Sequence, residues 1–150
     1  MLHGPDETAR YWDAALPVSE RPGFPWPGLL RAPVLVLVLS HKDAYLDRYA
    51  EPDKGWSDRD ESRWTVPYWD VDAGMAAMLL LLAAVDEGLG ALFFGVFDRW
   101  DAVRKALGVP DTRRCVGVVA LGHPDDQDRP SRSVERGRKA PDQVVHRGRW

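Results

Sequence analysis

Val34-Leu35-Val36-Leu37-Val38-Leu39 is an unbroken apolar run, introduced by Pro33 and closed by Ser40. Its length and its recurrent β-branched residues predict a strand buried on both faces, which places it inside a parallel or mixed central sheet. Ser40-His41-Lys42-Asp43 then carries the chain off the sheet. These four neighbours do not form a catalytic triad, because adjacent side chains in an extended or turning segment point apart. Residues 44–66 are polar and acidic and read as a solvated, mobile loop or lid.

Asp70 or Asp72 next supplies an N-cap for a helix that reaches about Glu87 and is closed by Gly88. Met75, Met78, Leu79, Leu82 and Val85 follow helical spacing, and Ala76, Ala77, Leu80 and Ala83 make the opposite side apolar as well. A helix apolar all round needs cover on every side. A chain of 150 residues has little core to provide it, so a second subunit is expected against this helix. The run without polar side chains, residues 73–85, falls short of the roughly 20 residues that cross a bilayer, so it reads as a core helix rather than a membrane segment.

A turn at 88–90 leads to a second buried strand over 91–94. Asp98 caps a helix over 99–107 that Gly108 and Pro110 stop, and a third strand over 116–121 ends at Gly122-His123-Pro124. Residues 125–150 form a polar tail with a basic cluster at Arg136, Arg138 and Lys139. The first thirty residues, punctuated by Pro17, Pro22, Pro25 and Pro27, read as irregular, with Phe24 and Trp26 as anchors on the core. The expectation is one α/β (α+β) domain over residues 1–150, with a central sheet flanked by helices.

Composition narrows the function classes. Hydrophobic residues make up 45% and charged residues 29%, and the net charge of −3 is interspersed, which argues against a nucleic-acid or membrane-surface partner. Cys115 is the single cysteine and sits in an apolar run; it forms no internal disulfide and fits a reducing, cytoplasmic setting. Residues 1–10 lack a signal-peptide pattern. Trp26, Trp56, Trp64 and Trp69 fall in irregular regions, where they either form a subunit or ligand surface or fold back onto the core. His3, His41, His123 and His146 are scattered without metal-ligand spacing, and no nucleotide-binding or nucleophile-elbow motif occurs. No catalytic side chain and no metal site are expected.

What remains is Asp86-Glu87-Gly88-Leu89-Gly90-Ala91-Leu92-Phe93-Phe94-Gly95. Glycines after a helix and after a strand let backbone approach a planar ligand closely, although a glycine C-cap before a buried strand accounts for the same residues. The order of segments adds to this reading. Asp72-Ala73-Gly74, the apolar helix, Gly88-Leu89-Gly90, Phe93-Phe94-Gly95, Leu107-Gly108-Val109-Pro110, Gly122-His123-Pro124 and Arg138-Lys139-Ala140-Pro141 together resemble the nitroreductase family of FMN-dependent oxidoreductases over about residues 30–150.

The resemblance implies a mixed central sheet flanked by helices and a homodimer that shares two flavins. It places Phe93, Phe94 and Gly95 beside the isoalloxazine ring, with a backbone N–H near N5, and Arg138 and Lys139 on the FMN phosphate. It also implies an oxidoreductase that passes electrons from NAD(P)H through FMN to a small acceptor such as a nitro compound or quinone. Members of the family begin with an Arg-rich segment that clamps the phosphate, followed by a helix and a Pro-Ser-x-x-Asn-type loop; nothing in the first thirty residues matches. The chain therefore looks like a member lacking the N-terminal quarter, and weaker FMN binding is expected. The alternative is a non-catalytic flavin-binding or dimerisation module.

Overall fold

The structure is a computed structural model and describes residues 1–125 and 132–150. The remainder of the expected tail, residues 126–131, lies outside the described residues.

The apolar run forms β2 (Val34–Ser40), which pairs with β1 (Leu2–His3) on one side and β4 (Arg114–Gly122) on the other, while β3 (Gly90–Phe94) pairs with the far edge of β4. The order is β1-β2-β4-β3. The α+β class with a helix-flanked sheet is the one expected. The strand directions are the correction: every ladder among the described residues is antiparallel, where a parallel or mixed sheet was expected. A continuous apolar run reports burial on both faces and not direction. Here Leu35 and Val118 point into one cluster, Val38 and Val119 into another.

The long helix α4 (Tyr68–Asp86) covers the second cluster. It starts two residues before the earlier of the two expected caps, with Pro67 at the N-cap. Asp70 instead accepts from Ser40 Oγ at 2.6 Å and from Arg114 Nη1 at 3.1 Å, tying the helix to the ends of β2 and β4. Gly88 closes the helix at φ 70°, a left-handed angle that glycine takes without a Cβ penalty. The helix faces the sheet through small residues: Ala77 and Ala84 are buried, and Ala73, Leu80 and Leu81 pack beside them. Met75 (61% exposed), Leu79 (68%) and Val85 (70%) point away. The expected all-round burial is thus absent in the single chain. At 19 residues the helix is long and apolar enough, by length and composition alone, to cross a membrane.

The opposite face is covered by α1 (Pro5–Ala15) and α5 (Trp100–Ala106), which pack against each other. The N-terminal thirty residues are therefore not irregular throughout. Pro5 occupies the first helical turn, Asp6 and Glu7 suit the positive helix end, and Thr8, Tyr11 and Trp12 form the buried stripe. A 3-10 turn (Val18–Gly23) and the short α2 (Pro27–Leu30) lead from there to β2.

The expected mobile segment 44–66 is also built differently. Residues 42–50 form α3 (Lys42–Ala50), and the chain beyond it folds back as an aromatic cluster. Trp64 packs edge-on against Tyr49 at 4.6 Å and Tyr45 at 5.7 Å, and also contacts Trp56 and Trp69. Arg48 holds Asp53 through two 2.8 Å contacts, which keep that carboxyl below its ordinary range. Exposed pairs of this kind stabilise little on their own, so the edge-on ring contacts are what hold the segment together.

Candidate functional site

Between α1 and the ends of β3 and β4 lies a cleft of about 1070 Å³. Its walls are aromatic. Trp12 stacks on Phe94 at 5.7 Å with the rings 8° from parallel, Tyr11 meets Trp12 edge-on at 4.9 Å, and Phe24 and Trp26 extend the wall toward solvent. Gly28, Gly90, Gly95 and Gly122 also line it. Glycine backbone leaves a wall flush, where side chains would project into the space a flat ligand needs. At Gly90 an added Cβ would already touch Pro124 at 3.4 Å.

The floor is buried and apolar, formed by Leu29, Ala120 and the ring of Tyr11. Burial pushes the Tyr11 phenol well above its ordinary range, and the neighbouring Cys115 adds to the shift. Cys115 is half-buried and its thiol contacts the Gly117 carbonyl at 3.4 Å; burial pushes it up as well, which leaves it un-ionised and a poor nucleophile at neutral pH. The indole N–H of Trp12 is buried without a hydrogen-bond partner among the described residues.

Charge sits at the rim. Arg99 bonds Glu20 at 3.0 Å and Arg31 bonds Asp125 at 2.5 Å, so two ion pairs join the N-terminal wall to the sheet wall. Asp98 also lines the cleft and makes no ion pair among the described residues.

Of the five residues singled out from the sequence, Phe94 and Gly95 line the cleft. Phe93 points to the opposite face of β3, where its ring lies across Gly117: a Cβ there would fall 2.3 Å from Phe93 Cζ. Arg138 and Lys139 are exposed and are not part of the cleft wall. Sequence reading missed Tyr11, Trp12, Arg31 and Arg99. The first two carried a signal in the helical spacing of Thr8, Tyr11, Trp12 and Ala15; the arginines carried none. No cluster of His, Cys, Asp and Glu among the described residues suits a metal ion.

The geometry fits part of a flavin. The apolar, aromatic and glycine-lined space suits a planar tricyclic ring, while both rim arginines are already engaged by carboxylates and offer no ready phosphate seat.

Residues 5–123 match the nitroreductase family. The chain belongs to the nitroreductase family. A candidate NADH dehydrogenase/NAD(P)H nitroreductase of Archaeoglobus fulgidus is 33% identical over 92 residues, covering 59% of this chain and 51% of that protein. An uncharacterised 15.4 kDa protein in the ask 5′ region of Mycolicibacterium smegmatis is 40% identical over 104 residues, 63% of this chain and 67% of that one. This nitroreductase-family chain thus spans about half the length of the Archaeoglobus relative. Among solved structures, the NfrA1 nitroreductase of Bacillus subtilis superimposes with a TM-score of 0.64 at 19% identity, over 96% of this chain and 53% of that one. The FMN-dependent nitroreductase of Clostridium difficile R20291 gives 0.60 at 16% identity, over 97% and 72%. At these identities the likeness establishes the nitroreductase fold.

Proposed function

We propose that this chain is a cytoplasmic FMN-dependent oxidoreductase that passes electrons from NAD(P)H to a small organic acceptor such as a nitro compound or a quinone. The observation that carries the reading is the cleft wall, where Phe94 and Gly95 stand beside stacked aromatic rings and a glycine-flush surface. The bound flavin would supply the redox chemistry itself, taking hydride from the nicotinamide and passing electrons on. The chain supplies binding and orientation. Backbone of Phe93, Phe94 and Gly95 offers hydrogen bonds to the ring edge, and the Trp12 side of the cleft excludes water; for the phosphate the family resemblance points to Arg138 and Lys139, which stand exposed outside the cleft wall and would act through charge-assisted hydrogen bonds.

The same reading makes the protein a homodimer joined through α4. Its outer face presents Met75, Met78, Leu79, Leu82 and Val85, and exposed Leu92 and Phe93 lie on the neighbouring edge strand β3. Exposed apolar surface on this helix and strand supports the reading of an interface with a second copy.

Titration of the purified protein with FMN and with riboflavin, followed by NADH and NADPH oxidation, tests the proposal. Arg138→Ala/Lys139→Ala should weaken FMN about tenfold or more and leave riboflavin nearly unchanged, since each lost charge-assisted bond is worth about 1.5–3 kcal/mol. Equal losses for both flavins would remove the phosphate assignment. Flavin binding without oxidation of either nicotinamide would reduce the protein to a flavin-binding module.

A further inference from the structure

Trp12 is 5% exposed, and its indole N–H finds no acceptor among the described residues. An indole nitrogen donates and cannot accept, so no rearrangement of its own proton relieves the shortfall. The hydroxyl one turn back on α1, that of Thr8, is turned to the Gly4 carbonyl at 2.9 Å. A buried donor left unpaired costs stability, and a phenyl ring at this position would keep the contact with Phe94 without that cost. The N–H therefore asks for an acceptor that arrives with a ligand.

The place of the ring agrees. Trp12 bounds the cleft of about 1070 Å³, and its stack on Phe94 sets α1 against the end of β3, where Gly95 lines the same space. The flanking rings of Tyr11 and Phe24 make the surroundings apolar, which favours a neutral acceptor over a charged one and strengthens the bond once made. A carbonyl oxygen on the edge of a planar ring is such an acceptor, and an isoalloxazine carries two. The N–H is shielded from solvent in the chain alone, so an acceptor reaches it with a small turn of the indole.

We propose that Trp12 donates a hydrogen bond to a ring-edge carbonyl of the bound flavin and so orients the isoalloxazine from the α1 side. The proposal rests on the preceding subsection's reading of the cleft as a flavin seat, and adds to it a side chain that fixes which way the ring lies.

Riboflavin, 2-thioriboflavin and 4-thioriboflavin test this by binding alone, in a cycle with Trp12→Phe. Sulfur in place of a carbonyl oxygen is a weak acceptor, and the loss of ring volume in the variant acts on all three ligands alike. From wild type to Trp12→Phe, the preference for riboflavin over one thio analogue should shrink about tenfold, and the preference over the other should stay unchanged. Should Trp12→Phe fail to fold or to bind any flavin, the 15N-labelled wild-type protein decides. One of its seven indole N–H resonances should then move downfield with riboflavin, and less with the more weakly bound analogue. Unchanged preferences in the folded variant, or no indole resonance that tells riboflavin from the analogues, would overturn the role of Trp12 and leave the flavin seat standing. A wild-type protein that binds none of the three would instead overturn the flavin reading, and the role of Trp12 with it.

Discussion

The two faces of the sheet are covered by opposite means. On one face α4 approaches through Ala73, Ala77 and Ala84, with Leu80 and Leu81 beside them, while Met75, Met78, Leu79, Leu82 and Val85 stand outward. On the other face α1 approaches through Tyr11 and Trp12, whose rings hold the helix off the sheet ends and leave a cleft of about 1070 Å³. Small residues inward make a surface suited to another protein surface; large residues inward make a cavity suited to a ligand. Side-chain volume at a few helix positions thus separates an apolar outer surface on one face from an open cleft on the other.

The sharpest way to break this contrast is on the α4 side. Met78→Asp should convert a dimer to a monomer, with at least a hundredfold loss of association, because a buried unpaired carboxylate costs several kcal/mol at an interface. Met78 is 55% exposed in the single chain, so secondary structure should survive. Sedimentation velocity with circular dichroism reads both. A wild-type protein that is monomeric at micromolar concentration would show that the outward residues serve something other than self-association.

The sheet itself offers the next test. Gly117→Val would drive a side chain into the Phe93 ring and should destabilise the fold by about 1–3 kcal/mol, a typical cost of overpacking. Phe93→Ala in the same chain should recover part of the loss in denaturant melts. No recovery would mean that the clash lies with backbone instead.

A smaller effect on stability, paired with a large one on binding, is expected at Gly95. This exposed residue lines the cleft and is not among the positive-φ glycines Gly4, Gly55, Gly88, Gly108, Gly137 and Gly148, so its backbone does not demand glycine. Gly95→Val should shift apo stability by about 0.5 kcal/mol or less, as at ordinary surface sites, while abolishing FMN binding. A large apo destabilisation would return Gly95 to a folding role.

The smallest effect concerns pH. Tyr11 and Cys115 have folded-state pKa values raised by burial, so their contribution to stability is complete below their unfolded values and is lost as pH climbs through the folded ones. Melting temperature should therefore begin to fall above about pH 8.5, where an unfolded thiol ionises, and more steeply above about pH 10, where an unfolded phenol does. Tyr11→Phe should flatten the second decline.

Much of this architecture was legible in the residues. The runs that became β2, α4, β3, α5 and β4 stood out because periodicity and glycine or proline stops agreed there. The helix at residues 5–15 was obscured by the prolines that follow it, although Thr8, Tyr11, Trp12 and Ala15 already sat one turn apart. Strand direction was not readable, since burial on both faces gives the same apolar run in either orientation. Which side of α4 meets the sheet was hidden for a related reason: with both sides apolar, only residue size separates them. In the site, Phe94 and Gly95 could be found from local pattern. The pairs Arg99–Glu20 and Arg31–Asp125 could not, because their members lie far apart in the chain and meet only across the folded cleft.

The position of β4 also governs how the protein is made. Synthesised last of the four strands, it lies between β2 and β3, and neither has another ladder of comparable length. A chain leaving the ribosome cannot close its sheet until residue 122 has emerged, so β2, α4 and β3 wait with their apolar sides uncovered. Such non-local pairing folds slowly and exposes aggregation-prone edges meanwhile. Yield in cells should therefore depend on chaperones that shield nascent apolar segments, more steeply than the stability of the finished molecule would suggest.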